Sequence, residues 1–320
     1  MTSQSLTPGI SPNTIRDRQQ HICFLVVVAA VVASYWGNLA SLIAFSFAQD
    51  LYSYIILIPV VSLALVLRKR SAIFAEVRWA FLPGMSLIAA GLVGTVLWPH
   101  VRSGNSTASL SAGAACVVTL VIGSFVLCYG RSAARAALFP LLFLVLIVPI
   151  PGQLLDSVTV VLQKASCHLT YLLMTIAGTP VLRNGFVLST PLGGIEVAEQ
   201  CSGIRSTLGL LIGSIVAGHL FLRSGWKKTL FASSVVPVSI FKNALRIVTL
   251  YWLGVHTDQQ FLTGELHRRG GIPFSLLALG ILGPLLYLLH KSDVPVGRSR
   301  TDRRTSPRQP LEYASFRHQL

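Results

Sequence analysis

Apolar runs of about 20 residues alternate with short polar, basic breaks along most of this chain, which is the pattern of helices that cross a bilayer. The runs lie near residues 22–46, 53–67, 80–98, 107–129, 136–150, 203–222, 229–252 and 272–290. The basic breaks set an orientation. Arg68, Lys69, Arg70 and Arg78 follow the second run, Arg131 and Arg135 the fourth, and Arg223, Lys227 and Lys228 the sixth, while seven basic residues occupy the tail from Lys291 to Arg317. All of these fall on one side if the N-terminus is cytoplasmic. The opposite breaks are poorer, with only Arg102 between runs three and four. The positive-inside rule therefore predicts about eight transmembrane helices with both ends inside.

The pattern changes between Pro151 and Gln200. From Gln153 to Ile176 the residues Asp156, Gln163, Lys164 and His168 enter an apolar background at helical spacing, which predicts an amphipathic or tilted helix at the outer face. After Gly178-Thr179-Pro180 come two short β-prone stretches, 181–188 and 193–198, separated by turn residues. They predict a small outer hairpin leading into Cys201. If 153–176 crossed the membrane instead, every later span would invert, and the charge distribution argues against that.

Composition agrees with a polytopic membrane protein. Of 320 residues, 52% are hydrophobic and 12% charged, with mean hydropathy +0.66, against about 25% charged in soluble proteins. The net charge of +15 is mostly the topology signal. The first 20 residues are polar and carry Arg16 and Arg18, and no small-residue cleavage site ends the apolar run that follows, so the first helix reads as uncleaved. The organisation expected is a cytoplasmic segment over 1–21, an all-α transmembrane domain over 22–290 and a disordered basic tail over 291–320. That tail abuts a span and has no repeats, so it fits anionic lipid rather than nucleic acid. Cys23, Cys116, Cys128, Cys167 and Cys201 form no CxxC; four sit in apolar or helical stretches as small hydrophobes, and neither a disulfide framework nor a zinc site is indicated.

Three chemically capable residues are placed by topology at one surface. Cys201, in Glu199-Gln200-Cys201-Ser202-Gly203, sits at the outer mouth of span six, near a helix start whose unpaired N–H groups favour thiolate. Arg246 lies in span seven, roughly 9 Å below its outer end near Trp252 at 1.5 Å per residue. A charge there costs about 2.5–3.5 kcal/mol unless it snorkels. Asn243 is on its face, and Lys242 makes a like-charge pair that asks for an anion such as Glu196, Glu199, Asp258 or Glu265. His267 lies in the outer loop before span eight, with His256 its rival as a base. His21, His219 and His290 fall near inner span ends. Ser214 and His219 stand five apart on one helix and diverge, so they make a poor serine dyad. Glu196 and Glu199 have no HExxH partner, no phosphate loop is present, and no cofactor is expected.

Cys201-Ser202-Gly203, Asn243-x-x-Arg246 and His267 followed by Gly271 resemble the three signature motifs of the exosortase/archaeosortase family, multi-pass transpeptidase-like membrane enzymes. Asp50-Leu51-Tyr52-Ser53-Tyr54 with Leu57-Ile58-Pro59 is similar to the family's second-helix pattern, except that the family often has histidine at Tyr54. The likeness covers roughly residues 30–290. It implies an enzyme of the cytoplasmic (inner) membrane whose active site faces the exterior. The expected partners are exported proteins with a C-terminal motif, a transmembrane helix and a basic cluster, of the PEP-CTERM type, in a host that makes extracellular polysaccharide. Cys201 would attack the scissile carbonyl, Arg246 would stabilise the oxyanion, His267 would protonate the leaving amine, and Asn243 would orient Arg246.

A reading from another class competes. Lys242 and Arg246 also suit an anion path in a transporter or assembly component of an envelope polysaccharide system. The Cys201→Ser variant separates the two, because transport survives it and acyl transfer does not.

Overall fold

The computed structural model describes residues 12–97, 106–191, 193–197, 203–256 and 271–293. Within them the chain is built of helices: α1 (Pro12–Ser34), α2 (Trp36–Ala48), a 3-10 segment (Asp50–Ile56) running into α3 (Leu57–Arg68), α4 (Arg70–Ile73), α5 (Phe81–Leu97) and α6 (Thr107–Ala136). There follow α7 (Leu138–Phe143) with a 3-10 turn (Leu144–Ile147), α8 (Gly152–Ile176), strands β1 (Leu182–Asn184), β2 (Val187–Thr190) and β3 (Gly193–Glu196), then α9 (Ile204–Phe221), α10 (Gly225–His256) and α11 (Gly271–Lys291). Leu82, Val96 and Leu97 on α5 and Leu276 on α11 point outward, as suits helices solvated by lipid rather than water.

Five helices are long and apolar enough to cross a membrane, and up to seven if each of two bent pairs is one span. All eight expected runs have helical counterparts, but three depart from a simple crossing. The run expected over 22–46 breaks at Tyr35, and its halves meet at 74°. Tyr35 is buried, with its hydroxyl on Thr95, and just beyond it Asn38 donates to the Ser109 carbonyl at 3.3 Å, so polar contacts with α5 and α6 fix the bend. Phe81–Leu97 has 17 residues, a short crossing by length. The run over 136–150 is the short α7 and its 3-10 turn, meeting α8 at 93°.

That right-angle bend sits at Pro149-Ile150-Pro151. Each proline removes a backbone donor and pushes its predecessor out of the helical region. The carbonyls inside the break find side-chain partners: Ser111 donates to Pro149 at 2.9 Å, and Tyr52 donates to Ile150 at 3.2 Å. Past the bend, α8 buries Thr159, Leu162, Gln163, Ser166, Cys167, Thr170 and Met174. These recur at three- and four-residue steps, the single buried face expected of an amphipathic helix.

The hairpin expected before Cys201 is instead a three-stranded antiparallel sheet in the order β1-β2-β3. Asn184 pairs with Val187, so Gly185-Phe186 is a two-residue turn within the first β-prone stretch, and Gly185 has φ 62. A glycine at the first of two turn positions between β-prone residues is the sequence signal for that turn. The sheet rests on α8 and α10. Leu188 and Val197 share a buried cluster with Cys167 and Met174 of α8 and with Ile247 and Tyr251 of α10.

The basic breaks meet at one end of the bundle. Lys69 lies 3.2 Å from His219, His290 lies 2.7 Å from the Phe221 carbonyl, and Lys227 pairs with Asp293 at 2.8 Å. The sheet, the Pro149–Pro151 bend and Gly203 are at the opposite end.

Candidate active site

Two anchors on α10 bracket the Cys201 segment. Upstream, Val197 is buried against Ile247 and Tyr251. Its backbone is held on both sides: its N–H donates to the Phe186 carbonyl at 2.9 Å, and Gln163, buried on α8, donates to its carbonyl. Downstream, Gly203 packs on Asn243, whose side-chain atoms would lie 3.4 Å from a Cβ placed at that glycine. Asn243 and the Ile247/Tyr251 pair are separated along α10 by about 6–12 Å at 1.5 Å per residue. Arg246 falls inside that interval.

Gly203 begins α9 in a left-handed conformation, φ 76 and ψ 9, which glycine adopts without the Cβ clash that other residues meet. Its carbonyl then accepts three hydrogen bonds: from the Thr207 N–H at 2.9 Å, the Thr207 hydroxyl at 2.8 Å and the Ser206 hydroxyl at 2.9 Å. The Ser206 oxygen in turn accepts from the Lys242 ammonium. Lys242 is 3% exposed and Asn243 1%. The two neighbours thus hold the turn after Cys201 by different means, Lys242 through a hydrogen-bonded relay and Asn243 by direct contact.

A carboxylate was expected for Lys242. Its ammonium donates to a hydroxyl, Ser206 on α9, and of the four candidate acids only Glu196 lies within the described residues. Sequence reading treated Ser206 as part of an apolar span, although a serine three residues after a helix-initiating glycine is a local signal for a polar turn. Arg246, one turn beyond Lys242 on α10, is partly buried.

The Asp50–Tyr54 segment reaches the same end. Asp50 pairs with Arg205 at 2.5 Å, joining the 3-10 segment to the first turn of α9, although both side chains are more than half exposed and the pair is worth little energy alone. Tyr52 bonds the Ile150 carbonyl as above, and Ser46 donates to the Tyr52 carbonyl at 2.8 Å. Tyr54 sits against the apolar cluster of Ile58, Phe143 and Ile212, a setting that suits a phenol better than a charged imidazole.

Cys201, Ser202, Glu199, Asp258, Glu265 and His267 lie outside the described residues, as do 1–11 and the tail from 294 onward. His267 belongs to the connection between α10, which carries Arg246, and α11. The rejected serine dyad is indeed apart: Ser214 donates to its own helix at Leu211, 2.7 Å, while the His219 ring stacks on Phe139 with centroids 3.6 Å apart.

No curated protein and no solved structure matches the chain. The family model for transmembrane exosortases matches residues 46–283, well over half of the 320 residues, from the end of α2 into α11. The match takes in the Asp50 segment, the Cys201-Ser202-Gly203 motif and the Asn243/Arg246 face alike, and this chain therefore belongs to the transmembrane exosortase family.

Proposed function

We propose that this protein is a cysteine protease/transpeptidase of the inner membrane that cuts C-terminal, PEP-CTERM-like sorting signals from exported proteins at the outer face, in a system linked to extracellular polysaccharide. The observation that carries the reading is the pair of anchors on α10. Cys201 is two residues from Gly203, so at ~3.8 Å per peptide step its Cα stays within ~8 Å of a residue packed on Asn243. That reach supports a thiol working beside Arg246, which lies one turn from Asn243 on α10.

The Cys201 sulfur attacks the scissile carbonyl carbon, forming a C–S bond, while the carbonyl oxygen takes up negative charge. The Arg246 guanidinium stabilises that oxyanion; it stays charged at any working pH, and its field gains strength where water is scarce. The C–N bond then breaks as His267 gives a proton to the leaving amine, whose departure leaves a thioester. An amine or water attacks the thioester and restores the thiol. The N-terminal end of α9, opening two residues after Cys201, favours the thiolate that begins the sequence.

The rival reading is an anion path along Lys242 and Arg246. It is disfavoured by Lys242, which is buried and donates to Ser206 rather than facing an open channel. The deciding experiment is processing of a substrate with motif, transmembrane helix and basic cluster by wild type and by Cys201→Ala, Arg246→Ala and His267→Ala, with membrane levels checked by immunoblot. The reading predicts uncut precursor from three variants present at normal levels. Cutting by Cys201→Ala would remove the nucleophile assignment.

A further inference from the structure

Helix α9 borders two apolar grooves, and they end differently. On one side, between α9, α10 and α11, lies a groove of about 240 Å³ lined by Leu210, Phe231 and Leu282. At the basic end of the helices that form it, Lys227 of α10 is neutralised by Asp293 at 2.8 Å, and both side chains are at most 10% exposed. On the other side, between α3, α7 and α9, lies a larger crevice of about 360 Å³ lined by Leu57, Val61, Phe143, Gly213 and Ala217. Leu220, at the end of this crevice, also lines a second cavity of about 130 Å³ whose walls include Arg68, Lys69 and His219.

This second mouth is built rather than incidental. The His219 ring lies flat on Phe139, with an interplanar angle of 5°. In that position its Nε2 accepts from the Lys69 ammonium at 3.2 Å, so a neutral imidazole hangs the lysine over the end of the crevice. Arg68 lines the same mouth, and Lys228 lies near enough to act on the charge of His219. Among the described residues no carboxylate pairs with Arg68, Lys69 or Lys228. Along α9 the apolar part extends from Gly209 to Leu220, about 16 Å at 1.5 Å per residue. A Cβ added at Gly209 or Gly213 would meet no atom within 4 Å, so this stretch is open for an occupant.

An apolar slot ending in cations that no described carboxylate neutralises matches an amphiphile with an anionic head. We propose that the crevice between α3, α7 and α9 binds an anionic phospholipid, with an acyl chain along α9 and the phosphate on Lys69 and Arg68. Basic pockets between helices at a membrane surface hold such headgroups, each cation contributing modestly and additively. The site is at the opposite end of α9 from the Cys-Ser-Gly turn and does not depend on the proposed cleavage chemistry.

The test uses the full-length protein in neutral detergent, titrated with phosphatidylglycerol or with phosphatidylcholine of the same chains, and followed by melting temperature and by lipid retention in native mass spectrometry. Phosphatidylglycerol is expected to be retained and to raise the melting temperature, and phosphatidylcholine is not. Lys69→Ala, a change at an exposed position, is expected to weaken the phosphatidylglycerol titration about fivefold. Val216→Trp, which fills this crevice but not the first groove and leaves the cations, should weaken it too, whereas Arg131→Ala, at the same end but outside the crevice, should leave it unchanged. Equal responses to the two lipids, an unaltered titration in Lys69→Ala, or an equal shift from glycerol phosphate alone would each overturn the proposal.

Discussion

The two ends of this bundle carry their charges in different ways. At the basic end exposed cations stand where helices stop: Arg68 closes α3, Lys69 follows it, and Lys291 closes α11. At the opposite end Lys242 and Asn243 are buried well inside α10. Loop cations are cheap, because orientation in a membrane favours them and water solvates them. Buried polar groups in a span cost a few kcal/mol unless they are satisfied. The difference therefore separates charges that topology explains from charges that need a local task, and the task visible here is to hold the turn next to Cys201.

Substitutions at the two ends should separate in size. The largest loss is expected from Cys201→Ala or Cys201→Ser, a thousandfold or more (~10³) in the rate of substrate processing. Arg246→Ala should cost about 10²–10³ in rate, as for the loss of an oxyanion donor, and Arg246→Lys should recover little of it because the planar fork is gone. Equal activity of Arg246→Lys and wild type would break the contrast between the ends. Gly203→Ala forces a Cβ into the left-handed region at a cost of about 1–2 kcal/mol. Its expected outcome is a folded protein with activity lowered about tenfold, read from single-turnover processing at matched protein levels.

The smallest effect belongs to the basic end. The Lys227 ammonium, and next the Arg223 backbone N–H, hold the Asp293 carboxyl down at about 2. A carboxylate depressed in the folded state stabilises above its unfolded pKa of about 3.9, and that contribution is lost as pH falls through about 2. Asp293→Asn should thus lower the melting temperature by a few degrees at pH 7, and the gap should close between about pH 4 and pH 2. Substrate processing by this variant at pH 7 should stay within about twofold of wild type.

How much of this was readable beforehand follows the same division. Hydropathy located every apolar run, and the loop cations grouped the basic ends, because both follow from local composition. The right-angle bend was missed as a number though its cause, Pro149 and Pro151, was in plain view. A third strand escaped because Gly185-Phe186 was read as part of one β-prone stretch rather than as the turn that divides it. Within the site, Arg246 and Asn243 stood out as polar residues in an apolar run. Ser206 under Lys242 did not, and Gln163 stood out only as a polar position of an amphipathic helix, since their contacts depend on which element lies opposite. The Lys69–His219–Phe139 arrangement joins three helices and leaves no trace in any one of them.

The most direct test of the central claim is rapid acid quench of the protein during substrate turnover, followed by mass spectrometry of the peptide containing Cys201. A substrate acyl group on Cys201, released by hydroxylamine and missing in Cys201→Ala, is the predicted result. Turnover with that peptide unmodified, together with cleavage by Cys201→Ala, would contradict it.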